Sequence, residues 1–294
     1  TAFTGTNSLA LRSGVMQRTF PTIVGRTYQL GYAYRKAPSL DGLVAWWKAD
    51  SDTVDSINGN NGTIQGGMGY GVGEVGQAFN VVDNNDGVFV PASPSLAVTN
   101  LTLEAWIFPT DTTTLHPIVE YAIPTGETKV HFLYNWDGGD SPGALFGAFR
   151  TPTGTLVVAT PAGTCPPNQW SHVALTFDYT TRTAQLYRNG AQVGTATFPT
   201  PITPQTAVPF YIGYRSNTSG ELGASARFAG RIDEIGIFNR ALNASELTSI
   251  FAVGAAGKCG MPIPPGICST PLGAVISIPG QATNSFLGTA TWQL

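Results

Sequence analysis

Residues 170–190 form two short runs of alternating polar and apolar residues, joined by a turn and followed by Asn189-Gly190. Asn-Gly supplies positive φ at both central positions of a type I′ turn, so the second run is expected to hairpin back into a further strand. In the first run Val173, Leu175 and Phe177 share one face while His172, Ala174 and Thr176 share the other, the period of a half-buried strand. Residues 101–107 repeat the pattern, with Leu101, Leu103, Ala105 and Ile107 opposed to Thr102, Glu104 and Trp106. Near Ile232, Ile235 and Ile237 the alternation slips at Asp233-Glu234, which predicts a bulge or a twist. Composition agrees with an all-β protein: only 11% of the 294 residues are charged, and 35 Gly with 21 Pro provide turns. The one clear helix signal is Asn243 followed by Glu246, a capping box that predicts a short helix over 244–252 with Leu247, Ile250 and Phe251 against the sheet.

Residues 40–257 suffice for a complete sandwich, bounded by Lys36-Ala-Pro-Ser39 and by the Gly- and Pro-rich stretch 254–266. The flanks, 1–39 and 258–294, carry β-like runs at 8–11, 17–20, 27–34, 274–278 and 289–294. Segments of about 35 residues cannot bury a core separately. The flanks are therefore expected to pair as one small, discontinuous β-sandwich. The run ending at Leu294 reads as stopping in mid-strand, so that sandwich is expected to be incomplete with an open edge; an arbitrary or proteolytic chain end is the alternative. A strand from a neighbouring copy would fill it, and repeated head-to-tail addition would build a filament.

Five phrases in order carry a resemblance. They are Asp55-Ser-Ile-Asn-Gly-Asn-Asn-Gly62, Gly76-Gln-Ala-Phe-Asn80 with Gly87-Val-Phe-Val-Pro91, the 101–109 strand, Trp170-Ser-His-Val-Ala-Leu-Thr-Phe-Asp178, and the stretch from Phe228 to Leu242. Together they resemble the laminin G-like, concanavalin A-like jelly-roll family. The flanking phrases Thr27-Tyr-Gln-Leu30 and Asn284-Ser-Phe-Leu-Gly-Thr-Ala-Thr-Trp-Gln293 are similar to galactose-binding-like jelly rolls of bacterial surface proteins. The resemblance implies a concanavalin A-like sandwich nested within a smaller one. It also implies an extracellular, non-catalytic adhesive or structural module of a bacterial surface or filament. The alternative is a carbohydrate-binding module accompanying a secreted polysaccharide-degrading enzyme.

A net charge of −3 without any Lys/Arg cluster gives nothing to attract nucleic acid. No apolar run reaches the roughly 18 residues of a membrane span, so membrane insertion is not expected. Sparse Lys with abundant Thr, Asn and Gly fits an extracellular or cell-surface protein. A glycosidase needs two carboxylates about 5 to 9.5 Å apart across a cleft. In sequence Glu104 and Glu120 are isolated, and Asp233 and Glu234, being adjacent, are expected to point to opposite faces of a strand. His116, His131 and His172 have no nucleophile context, His172 is expected to pack or hydrogen-bond within its strand, and no Gly-x-Ser-x-Gly elbow occurs. An enzyme is not expected.

Structural Ca²⁺ requires hard oxygen donors, which the loops at 55–60, 83–86 and 137–140 offer, although Asp and Asn also simply favour turns. The resemblance singles out Asp55, Asn60 and Asp233. For a glycan or surface ligand, Trp136 with Asp137 and Asp140 forms the best platform and Tyr214 a second, while Trp46, Trp47, Trp106 and Trp170 read as packing residues. Cys259 and Cys268 flank a Pro-rich loop and could close it as a disulfide that leaves Cys165 free; three idle thiols are the alternative.

Overall fold

A computed structural model describes residues 40–258, apart from 84, 125–126, 137–139, 152–153 and 216–225, together with the strands at 27–30 and 290–293. In chain order the strands are β1 (Thr27–Leu30), β2 (Leu43–Trp47), β3 (Thr63–Gln65), β4 (Gly69–Val72), β5 (Gln77–Val81), β6 (Gly87–Val90), β7 (Leu101–Pro109) and β8 (His116–Ala122). They continue with β9 (Thr128–Tyr134), β10 (Leu145–Thr151), β11 (Gly154–Ala159), β12 (Ser171–Asp178), β13 (Thr183–Arg188), β14 (Ala191–Thr197), β15 (Phe210–Ile212) and β16 (Gly230–Phe238). Helix α1 (Ala244–Val253) follows, and β17 (Ala290–Gln293) comes last.

One antiparallel sheet has seven strands in the order β11-β10-β9-β8-β15-β6-β3. The other has eight, β14-β13-β12-β7-β16-β5-β4, with β2 alongside β16. The fold is an all-β jelly-roll sandwich. The period of two decides which residues fill it. Leu101, Leu103, Ala105 and Ile107 of β7 share the core between the sheets with Val173, Leu175 and Phe177 of β12. The two strands are direct neighbours, Leu103 opposite Leu175. Trp47 from the eight-stranded sheet stacks on Phe210 from the seven-stranded one, centroids 5.5 Å apart, which clamps the two layers together.

Local signals explain the edges. Asn189 and Gly190 adopt φ of 50° and 78° between Arg188 and Ala191, the two-residue turn their identities demand. Gly190 has a second reason to lack a side chain: a Cβ there would sit 2.4 Å from the Thr248 Cα of α1. Both halves of the capping box form at Asn243 and Glu246. The helix buries Leu247 and Ile250 against Ala174, Tyr187, Phe238 and Leu242 on the outside of the eight-stranded sheet. The bulge falls where the alternation slips, between Asp233 and Gly236, with Glu234 at φ 56°.

β1 and β17 form a separate antiparallel ladder that joins the two flanks, Thr27 opposite Gln293 and Leu30 opposite Ala290. The other flank runs, the edge expected beyond Leu294, and Cys259 with Cys268 lie outside the described residues. Cys165 is a free, buried thiol, and burial pushes its pKa up.

Candidate ligand-binding face

The strand register aligns outward side chains across the seven-stranded sheet. Phe89 on β6 lies opposite Tyr211 on β15, Tyr211 opposite Glu120 on β8, Glu120 opposite His131 on β9, and His131 opposite Ala148 on β10. Phe210 and Ile212, on either side of Tyr211, belong to the core, so alternation turns this row to the outer face. Two residues further along β9 and β10, Leu133 lies opposite Phe146 and the pair packs with Ala148 and Leu115.

At the centre of the row is a buried ion pair. Glu120 is 0% exposed; Arg215, just beyond β15, places Nε 3.0 Å from its Oε2 and bonds Oε1 through Nη2. His131 Nδ1 is 2.8 Å from the same Oε1. Burial alone would raise the Glu120 pKa, but Arg215 and then His131 hold the carboxyl down to about 2. A forked guanidinium contact of this kind keeps a buried carboxylate charged without leaving it unpaired. Aromatic rings surround the pair. Tyr211 meets Phe89 and Tyr214 edge-on at 5.4 and 5.3 Å. Trp136 lies flat on Phe146, centroids 4.6 Å apart and planes 18° apart, and keeps 37% of its surface exposed.

The outer face of the eight-stranded sheet is sealed by comparison. Phe251 of α1 lies on Trp106 at 5.6 Å. Beneath the helix, Glu104 bonds His172 at 2.9 Å and Lys258 at 3.0 Å, and Lys258 reaches Glu234 at 3.6 Å. His172 therefore has the hydrogen-bonding role expected of it. A cleft of about 720 Å³ between 97–99 and 200–208 is lined by no ionisable side chain.

Of the residues singled out by sequence, Trp136 stands on the aromatic stack, and Tyr214 lies on the same face but only 8% exposed, so it packs more than it presents. Asp140 is exposed close to Trp136 in sequence, and Asp137 lies outside the described residues. Glu120, Arg215 and His131 were not singled out as a group. Outward alternation was their only local signal, and the contact joins residues 95 and 11 positions apart.

The residues expected to hold Ca²⁺ do not fit it as a set. Asp55 Oδ1 accepts from Trp46 N and Ile57 N at 2.8 and 3.0 Å. Its Oδ2 accepts from Asn58 N, Asn60 N and Asn60 Nδ2 at 3.2, 2.9 and 2.8 Å. Those five donors take up the acceptor capacity of a carboxylate, and amide hydrogens aimed at an oxygen repel a cation. Asn60 Oδ1 in turn accepts from Ser95 Oγ at 2.9 Å. Asp233 has different neighbours: Val75 N donates to it at 2.8 Å, and burial pushes its carboxyl up to about 8. Among the described residues no group of three or more His, Cys, Asp and Glu is gathered as a metal centre. Excess chelator is accordingly expected to leave the thermal midpoint unchanged. A fall reversed by added Ca²⁺ would return the cation to this loop, since a ligand of the folded state must stabilise it by mass action.

A family model described as the Concanavalin A-like lectin/glucanases superfamily, of laminin G type, matches residues 82–248, a span that includes the whole face. Domain 4 of AbnA, a GH43 extracellular arabinanase from Geobacillus stearothermophilus solved in complex with arabinotriose, superposes with a TM-score of 0.54 at 22% identity, over 70% of this chain and 96% of that one. The binding domain of Paraclostridial Mosquitocidal Protein 1 gives 0.57 at 18% identity, over 72% of this chain and 52% of that one. The binding domain of botulinum neurotoxin serotype D gives 0.55 at 13%, over 72% and 52%. The chain thus spans about half the length of either toxin domain, and at these identities the likeness is one of fold. No curated protein matches the sequence significantly.

Proposed function

The chain belongs to the concanavalin A-like lectin/glucanases superfamily, and from that premise we propose that it is an extracellular, non-catalytic binding module that holds a glycan on the outer face of its seven-stranded sheet. The observation that carries this reading is the Trp136–Phe146 stack beside the Glu120–His131–Arg215 group. Sugar faces pack on aromatic rings, and fixed polar groups next to the ring choose the hydroxyl pattern. The fold relatives lend support, one being an arabinanase domain that holds arabinotriose and others toxin binding domains. A non-catalytic role is favoured because Glu104 and Glu120 face outward from different sheets and cannot flank one bond. No helix of the described residues is long and apolar enough to cross a membrane. An adhesive role is compatible with such a face, since a surface glycan would be its ligand. Self-association into a filament has no comparable support, for the edge it would use lies outside the described residues.

The test is calorimetry against neutral and acidic oligosaccharides, starting with arabinotriose, on the native chain and on Trp136→Ala. Loss of the ring is expected to weaken binding about tenfold, roughly the 1.4 kcal/mol of one good aromatic stack. Undiminished affinity in Trp136→Ala would move the ligand elsewhere on the molecule.

A further inference from the structure

Resting on that reading of the face, we infer that His131 is a ligand-binding residue that presents Nε2 as a hydrogen-bond acceptor, so that the site selects neutral glycans able to donate a hydroxyl there. The tautomer follows from the partners. Nδ1 lies 2.8 Å from Glu120 Oε1 and 3.1 Å from Arg215 Nη2. A carboxylate can only accept, and Arg215 Nη2 already spends one of its two hydrogens on that carboxylate, so it is the 2.8 Å approach of Nδ1 to Oε1 that places the proton on Nδ1, donated to Glu120 in a charge-assisted bond. The opposite tautomer would set two lone pairs against each other at 2.8 Å. With Nδ1–H spent inward, the uncharged form of the imidazole carries a lone pair on Nε2. No protein donor among the described residues is bonded to it, and the side chain keeps 14% of its surface open. Glu120 and Arg215 are thus positioning residues: buried, mutually neutralised, and turned toward the imidazole rather than the ligand.

The spacing suits a sugar chain. Leu133 is two residues from His131 on β9 and lies opposite Phe146, on which Trp136 stacks, so the ring platform is about 7 Å along the strand from the imidazole. A sugar seated on Trp136 places its neighbour over His131.

Two substitutions separate the two nitrogens, because an Asn amide falls near the position of Nδ1 and a Gln amide near that of Nε2. With arabinotriose and xylotriose as probes, His131→Asn should weaken binding about tenfold, whereas His131→Gln should stay within about threefold of the native chain. Nitrogen-15 spectra of the native imidazole should show the proton on Nδ1, and a shift at Nε2 when the sugar is added. A proton on Nε2, or native-like binding by His131→Asn while Trp136→Ala still fails, would overturn the assignment and leave the face standing. Tighter binding of trigalacturonate than of either neutral trisaccharide would also overturn it. If none of the sugars binds, the face itself is lost and His131 with it.

Discussion

Asp55→Ala is expected to destabilise the chain by about 3–5 kcal/mol, although the residue touches no proposed ligand. The reason is the number of donors that converge on one carboxylate. Four backbone N–H groups and the Asn60 amide lose their acceptor together, and Asp55 and Asn60 are only 4% and 8% exposed, so water cannot readily replace it. Each stranded buried donor costs about 1–3 kcal/mol, discounted here because the loop can relax. The damage spreads inward. Trp46 N lies in β2, and Trp47 Nε1 donates to Asn60 O at 3.0 Å while its ring stacks on Phe210 across the sandwich. At about 2–4 °C per kcal/mol for a block of this size, the thermal midpoint should fall by on the order of 10 °C. Asp55→Asn keeps one carbonyl acceptor and should lose roughly half as much. A midpoint within about 2 °C of native for Asp55→Ala would show that the loop is held by something other than this carboxylate.

That loop also shows what the sequence made legible. The fold could be read because its instructions are local: alternation assigns each side chain to core or surface, Asn189-Gly190 sets a turn, and Asn243 with Glu246 starts a helix. Even the β16 bulge was visible, since inserting one residue shifts every later side chain to the other face. The loop around Asp55 was legible as a structured feature, but its chemistry was not. Asp and Asn ligate cations and cap backbone amides with the same atoms, and only the amide directions separate the two roles. The face was harder. Trp136 could be noticed alone, but Glu120 looks isolated until β15 brings Arg215 to it from 95 residues away. Such contacts are consequences of strand order, which period and propensity leave undetermined.

The second large effect is expected at Lys258, one residue beyond the boundary that composition marks. Its side chain is 2% exposed, pairs with Glu104 Oε1 at 3.0 Å and with Glu234 Oε2 at 3.6 Å, and donates to the Glu234 carbonyl. Against burial, which lowers an ammonium pKa, Glu104 and then Glu234 hold Lys258 above its ordinary value. Against burial, which raises a carboxyl pKa, Lys258 and then His172 hold Glu104 below its own. Lys258→Met fits the same space but strands two buried carboxylates, a change that costs about 3–5 kcal/mol in comparable sites. The sign of the pH dependence follows. In the native chain the depressed Glu104 contributes stability above its unfolded pKa, and that stability is lost as pH falls through the folded value. In the variant the unpaired carboxyls titrate above their unfolded pKa, so the folded state binds the extra protons and weakens as pH rises. Both effects make the deficit small near pH 4 and largest near pH 7.5, measurable by urea unfolding at the two values. Adding Glu104→Gln to Lys258→Met removes one stranded charge and should recover part of the loss at neutral pH. A deficit that is the same at both pH values, or a double variant no better than the single, would reduce Lys258 from the centre of a buried ion network to a packing residue.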